Sequence, residues 1–130
     1  MSAPKSREKT DYCVFEYLYR DGGNWKTWGE VLLSGCLPVG ARQKIESCFE
    51  TDGLFVAEQI DIASLCPAHF ERYGGPTELD HAYHEFNDLR VATKEDVATM
   101  VAVESVSSFL SRVCGQKGKW NVLRSPNAWI

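Results

Sequence analysis

All three histidines of the chain lie in one polar segment, 66–88, which also begins with a cysteine. Cys66 and His69 are separated by two residues, as are His81 and His84, and eleven residues lie between the two pairs. Two close pairs of ligands joined by a loop are the general arrangement of a structural zinc site. One hypothesis is therefore a zinc ion bound by one thiolate and three imidazoles, although such a set is less common than the cysteine-rich ones.

The same segment also supports an enzymatic hypothesis. A catalytic metal could be held by His81, His84 and an acid, either Asp80 or Glu85. Alternatively, a carboxylate beside a histidine fixes its tautomer and raises its basicity, and a nearby thiol such as Cys66 would complete a nucleophile–base pair. A third interpretation is structural and is the one we favour: buried polar side chains mostly satisfy backbone groups, so the histidines would hold the Gly-Gly-Pro loop in place.

A second polar cluster is predicted at a turn near the N-terminus. Arg20, Asp21 and Asn24 flank a Gly-Gly pair, and their ordinary roles would be turn formation and a surface ion pair. If this turn lies at the same end of a sheet as the histidines, the two clusters would form one pocket. The candidate binding residues are thus Arg20, Asp21, Asn24, Asp80, His81, His84, Glu85 and Arg90.

Residue periodicity indicates the elements that must position these side chains. Over 12–20 one face of an extended chain would carry Cys13, Phe15, Tyr17 and Tyr19, an alternation that is typical of a strand. The turn signal Asp-Gly-Gly-Asn follows, and 25–34 alternates again, so the two segments are predicted to form an antiparallel hairpin. An apolar stripe over 39–51 indicates a helix, which Gly53 would end.

The remaining elements follow from the same signals. They are a third strand over 54–60, one helical turn over 61–65 capped by Asp61, a loop over 71–77, a fourth strand over 84–90, and helical stretches over 93–103 and 105–114. Thr93 and Asp96 have the spacing of a capping box. Trp120 and Trp129 suggest that the irregular tail docks on the body or on a partner. The order predicts an α+β fold with a small antiparallel or mixed sheet of about four strands, starting with a hairpin, with helices packed on one face.

Composition limits the class of protein. The 130 residues fit one domain over 12–130, preceded by a flexible leader over 1–11. Fourteen basic against eighteen acidic residues give a net charge of −4, which argues against a dedicated nucleic-acid binder. The sequence has neither a membrane-spanning apolar run nor an export signal, and its five cysteines are irregularly spaced, so reduced thiols in the cytoplasm are expected.

A larger pattern of residues resembles a set of small uncharacterised bacterial proteins, over about 12–96. The matching residues are Tyr17 to Asp21, Asn24, Lys26, Gly29, Leu33, Gly35, Gly74 to Thr77, Asp80, His81, His84 to Phe86, Leu89, Arg90, Ala92 and Thr93. The resemblance supplies no activity, because none is established for that set. It includes His81 and His84 but neither Cys66 nor His69, which shifts weight from a four-ligand zinc site to the segment around the two later histidines.

These observations leave three functional hypotheses. The first, which we prefer, is a small interaction module such as an inhibitor, an adaptor or an immunity-type protein, because tyrosine and tryptophan are the side chains that interfaces favour. Its partner would be another protein or a second copy in a homodimer. The second is a small His-based or metal-dependent hydrolase-like enzyme, and the third is a structural zinc protein.

Overall fold

The frame of the protein is a five-stranded mixed sheet in the computed structural model, which describes residues 10–128. The elements are β1 (Tyr12–Arg20), β2 (Lys26–Ser34), α1 (Ala41–Glu46), β3 (Leu54–Val56), α2 (Cys66–Tyr73), β4 (Tyr83–Val91), α3 (Lys94–Thr99), β5 (Glu104–Ser105) and α4 (Val106–Gly115), with 3-10 turns at Thr51–Gly53, Ala57–Ile60 and Val122–Arg124. The sheet order is β3-β4-β1-β2-β5, and only β2 and β5 run parallel. The predicted α+β class and opening hairpin are confirmed.

The hairpin of β1 and β2 is in register along its whole length, from Tyr12 opposite Ser34 to Arg20 opposite Lys26. The carboxylate of Asp21 closes the turn. Its Oδ1 accepts hydrogen bonds from the backbone amides of Gly23 and Trp25. Asn24 adopts a positive φ of 74°, a conformation that asparagine tolerates better than most residues. The turn predicted from the sequence is therefore one of the constraints that set the hairpin register.

An aromatic cluster fills the core on one face of the sheet. Phe15 in β1 lies at its centre, with its ring centroid 4.9 Å from that of Phe109 in α4 and 5.8 Å from that of Phe55 in β3. Aromatic pairs at such distances add stabilisation beyond the area that they bury. Three helices cover this face: α1 and α4 pack on the cluster, and α2 packs beside it on Tyr19.

The other face of the sheet carries a smaller apolar cluster. Val14, Leu32 and Ala92 are buried there and pack against Val97 of α3 and against Met100. The capping box predicted for α3 is confirmed, since its threonine and aspartate exchange side-chain to backbone hydrogen bonds. One helix therefore lies against the face opposite the other three.

Several boundaries differ from the sequence prediction. Helix α1 is shorter than 39–51: it begins at Ala41, after Gly40 with its positive φ, and it ends at Glu46. The third strand ends at Val56 and continues as a 3-10 turn rather than as a strand to residue 60. The predicted turn over 61–65 does not form, since Asp61 has a positive φ of 58°. Helix α2 was not predicted, and its last residues overlap the predicted loop over 71–77; Pro67 occupies its first turn, where proline costs no hydrogen bond.

The C-terminal segment docks on the body of the protein. The indole of Trp120 is buried against the aromatic cluster, and its Nε1 donates a hydrogen bond to the carbonyl of Cys48 at 2.8 Å. Farther along, Ser125 and Asn127 both donate to the carboxylate of Glu58. Of the two predicted alternatives, the tail docks on the body up to residue 128, whereas Trp129 and residues 1–9 of the leader predicted over 1–11 lie outside the described residues.

A bilayer-spanning helix would need about twenty apolar residues. Over 10–128 none of the helices reaches the length and apolar character that crossing a membrane requires.

Replacing Trp120 by alanine should lower the free energy of unfolding by about 3–5 kcal/mol, because a buried aromatic ring and its hydrogen bond are lost together. Urea denaturation followed by circular dichroism measures this loss. Trp25→Ala is the matched control, since Trp25 is 60% exposed and its loss should cost less than about 1 kcal/mol. Equal losses in the two variants would show that the tail is not part of the core.

Candidate functional site

Three segments meet at one end of the sheet: the turn between β1 and β2, helix α2, and the loop over 74–82. The amide of Gly22 in the turn donates to the carbonyl of Leu79 in the loop at 2.8 Å. Nε2 of His69 in α2 lies 2.9 Å from Oδ2 of Asp21, and Nε2 of His81 lies 2.7 Å from the carbonyl of Arg20. The two polar clusters predicted from the sequence therefore lie at the same end of the sheet.

His69 is the most enclosed member of this region, with 1% of its surface exposed. Its Nδ1 lies 2.8 Å from the hydroxyl of Thr27 in β2, while its Nε2 donates to Asp21. Burial alone would raise the pKa of Asp21, but the hydrogen bonds from His69 and from two backbone amides outweigh it, so this pKa lies below its ordinary value. Asp21, His69 and Thr27 form one hydrogen-bonded chain that links the turn to α2.

Asp80 is the second buried carboxylate of the region. Its Oδ1 accepts from the hydroxyl of Tyr19 at 2.7 Å, and its Oδ2 accepts from the amide of Thr77 at 2.7 Å. Burial, and then the hydrogen bond to Asp80, raise the pKa of Tyr19, so the phenol stays protonated and remains a donor. A Cβ at Gly75 would lie 2.7 Å from Oδ2 of Asp80, so this approach of the loop requires glycine.

The other two histidines bind main-chain groups. Nδ1 of His81 accepts from the amide of Tyr83 at 3.0 Å. Nε2 of His84 accepts from the amide of Leu65 at 2.9 Å, and its Nδ1 donates to the carbonyl of Ala82. Burial lowers the pKa of His84 to about 4, so this ring is neutral near pH 7. These are contacts of the kind that the structural interpretation of the histidines expects.

The predicted zinc ligands do not converge. The thiol of Cys66 is buried, burial raises its pKa to about 11, and its Sγ lies 3.7 Å from the carbonyl of His81. Within residues 10–128, the ligand atoms that all lie within 4.8 Å of one another belong to Asp21, His69 and Asp80. The sequence named all three as candidates but in separate groups: His69 with Cys66, Asp80 with His81 and His84, and Asp21 in the turn cluster.

The remaining candidates divide between two places. Arg20 forms a bidentate ion pair with Glu85, at 2.8 and 3.1 Å, and its third nitrogen donates to Asn24, so these three residues belong to the same end of the sheet. Arg90 lies elsewhere: on the opposite face it pairs with Glu16, with Asp96 of the α3 capping box and with Glu30. It therefore stabilises the sheet and α3 rather than the polar cluster.

A feature that the sequence did not indicate is the free edge of β2. Its partner β5 pairs only with Leu33 and Ser34. The amide of Val103 donates to the carbonyl of Leu32, so the even-numbered residues of β2 direct their main-chain groups away from β1. Within residues 10–128, those of Trp28 and Glu30 find no strand beside them, which leaves a short edge open to solvent.

The neutral state of His84 should make stability depend on pH. Because its folded pKa is about 4 and the unfolded value about 6.5, the unfolded chain binds the extra proton between these values. The stabilisation is fully present above about pH 6.5 and decreases by about 3 kcal/mol as the pH falls to about 4. Urea denaturation at several pH values measures it.

His84→Gln is the control, because glutamine offers an oxygen to the amide of Leu65 without titrating. The variant should lose less stability over the same pH interval than the unmodified chain. Parallel pH profiles for the two would contradict the assignment to this histidine.

No protein-family model, no curated protein and no solved structure matches this chain. Its function is therefore inferred from the chemistry and the geometry of its own residues.

Proposed function

We propose that the protein is an interaction module that associates with a second copy of itself through the open edge of β2. The observation that supports this most directly is the pattern along that edge, where Lys26, Trp28 and Glu30 occupy alternate positions. Twofold homodimers bring the same surface of both copies together, so that surface has to be complementary to itself. An edge with one tryptophan between opposite charges has this property.

The main-chain geometry suits antiparallel pairing of two such edges. With the twofold axis at Trp28, this tryptophan faces its own copy, and Lys26 faces Glu30 at both ends. The main-chain groups of these residues point toward the free edge, so the two strands would exchange the hydrogen bonds of an antiparallel ladder. Unpaired edge groups of this kind are a ready template for another strand.

The side chains of the edge favour the same arrangement. Trp28 is 58% exposed, which leaves a large apolar surface to bury in a contact. Aromatic pairs and opposite charges directly across two strands each contribute roughly 0.2–1 kcal/mol, and the twofold axis repeats the Lys26 and Glu30 pair. In the free chain Glu30 meets Arg90 only at 3.3 Å and keeps 45% of its side chain exposed, so it remains accessible.

Apolar residues extend this surface beside the strand. Val101 and Val103 are exposed at 85% and 65%, and together with Met100 they line a groove of about 330 Å³ next to Glu30. Clustered exposed apolar side chains are typical of interaction surfaces. Since the paired edge itself is short, the dimer is expected to be weak and reversible rather than obligate.

Charge reversal provides a direct test by sedimentation equilibrium over a range of concentrations. Lys26→Glu and Glu30→Lys should each weaken self-association at least about tenfold, because each places like charges opposite one another twice. An equimolar mixture of the two single variants should restore association, and so should the double variant. Only antiparallel pairing of this register predicts both restorations.

Two tryptophan variants distinguish association through the edge from nonspecific hydrophobic association. Trp28→Ala should weaken association, whereas Trp25→Ala, which removes a tryptophan of the same exposure at the turn, should not. A chain that stays monomeric at every concentration, or single charge variants that associate as before, would refute the homodimer. A monomer that instead binds an extended peptide, with the amides of Trp28 and Glu30 protected from exchange, would assign the edge to another protein.

A further inference from the structure

Asp21, His69 and Asp80 form the most concentrated set of metal-binding atoms in the part of the chain that the structure describes. One imidazole nitrogen and one oxygen of each carboxylate lie within 4.8 Å of one another. His69 is 1% and Asp80 8% exposed, so the cluster is built into the fold and is not a group of mobile surface acids. Two neighbouring carboxylates repel each other when both are ionised, and a bound cation would relieve this repulsion.

Little positive charge is available from the surrounding protein. Over residues 10–128, neither Asp21 nor Asp80 forms an ion pair with a lysine or arginine, and the ion pair made by Asp21 is with His69. Arg72 lines the adjoining cleft, but its guanidinium lies over the ring of Tyr73 at 5.3 Å. A protonated imidazole offsets at most one of two ionised carboxylates, so a bound cation would improve the balance of charge.

Each of the three side chains is also oriented from outside the cluster. Nδ1 of His69 faces the hydroxyl of Thr27, which leaves Nε2 directed inward. One oxygen of Asp21 is held by backbone amides of the turn, and Asp80 is held by the hydroxyl of Tyr19. Metal-ligating histidines generally use the second ring nitrogen for such an orienting bond, and ligating carboxylates are themselves hydrogen-bonded.

The cluster is accessible from one side. Its three residues line a cleft of about 480 Å³ together with Trp25, Tyr73 and Leu79. An ion can enter through this opening, and water can occupy the coordination positions that the protein leaves free. Three protein ligands with an open position are the arrangement of catalytic rather than structural zinc sites.

We propose that Asp21, His69 and Asp80 bind one divalent transition-metal ion, with Zn²⁺ as the best match. Imidazole together with carboxylates suits Zn²⁺, whereas Mg²⁺ and Ca²⁺ prefer oxygen ligands alone. Tetrahedral bonds of ordinary length require roughly 3.3 Å between Nε2 and a carboxylate oxygen. The present separation between His69 and Asp21 is 2.9 Å, so this pair needs to open by only a few tenths of an ångström, and all three ligand atoms already lie within 4.8 Å of one another. The ion takes the place of the proton on Nε2; that proton moves to Nδ1, which then donates to the hydroxyl of Thr27.

The test is titration of the full chain with Zn²⁺ alone, under reducing conditions, by calorimetry and by elemental analysis after dialysis. One ion per chain is expected, with tighter binding as the pH rises, because protons compete with the ion for its ligands. Asp21→Asn and Asp80→Asn, which preserve side-chain shape, should abolish uptake. Thr27→Val should weaken uptake by about 10–100-fold, since it removes the orienting contact of His69.

Two control variants discriminate this site from the others. Asp52→Asn changes an exposed acid that lines the neighbouring opening, and Cys66→Ala changes the thiol of the alternative zinc set, so both should bind as before. Substitution with Co²⁺ should give a spectrum without thiolate charge transfer. Absent uptake, uptake that survives both aspartate substitutions, or a thiolate band would overturn the proposal.

A spectroscopic measurement on the unmodified chain guards against variants that fail to fold. Long-range proton–nitrogen spectra resolve the ring nitrogens of the three histidines. Zn²⁺ should shift Nε2 of His69 and leave the rings of His81 and His84, which bond to main-chain groups, unchanged. A shift confined to either of those rings would place the ion elsewhere and refute the proposed ligand set.

Discussion

The structure depends on the burial of β1 on both of its faces. Phe15 and Tyr17 face the aromatic cluster beneath the sheet, while Val14 faces the smaller cluster on the other side. Both edges of the strand are also paired, with β2 on one side and β4 on the other. A strand that is buried on both faces and paired on both edges fixes the register of its neighbours, because a slip of one residue would move every side chain to the wrong face.

The fixed position of β1 determines which side chains meet at the end of the sheet. Since β1 ends at Arg20, the next residue, Asp21, has to reverse the chain while it remains in contact with α2. One of its oxygens closes the turn and the other binds His69, so a single carboxylate sets both the hairpin and the position of the helix. Tyr19 has the same double role, because its ring packs on His69 and its hydroxyl binds Asp80.

The sequence predicts features that are decided by neighbouring residues. It does not predict contacts between segments that are distant along the chain. Alternation, turn residues and the threonine at the start of α3 predict the hairpin and the capping box, because each is decided within a few positions. The pairing of Asp21 with His69 joins residues 48 positions apart, and no local spacing encodes it. The close spacing of His81 and His84 suggested shared ligation, but the two rings bond to different backbone segments. Spacing along a chain indicates proximity, whereas side-chain direction is set by the surrounding fold.

The free edge of β2 raises the question of why it is left open, since exposed edges promote indiscriminate pairing. Its charges limit the choice of partner and register. Antiparallel pairing centred on Trp28 places Lys26 opposite Glu30. A shift by two residues in either direction places each of these charges opposite an uncharged residue. Residues 61–63 and the loop over 100–103 line a groove beside Glu30 and Leu32, so only a short segment can approach the edge. A short edge with one aromatic residue between opposite charges therefore favours one defined, reversible contact over extended aggregation.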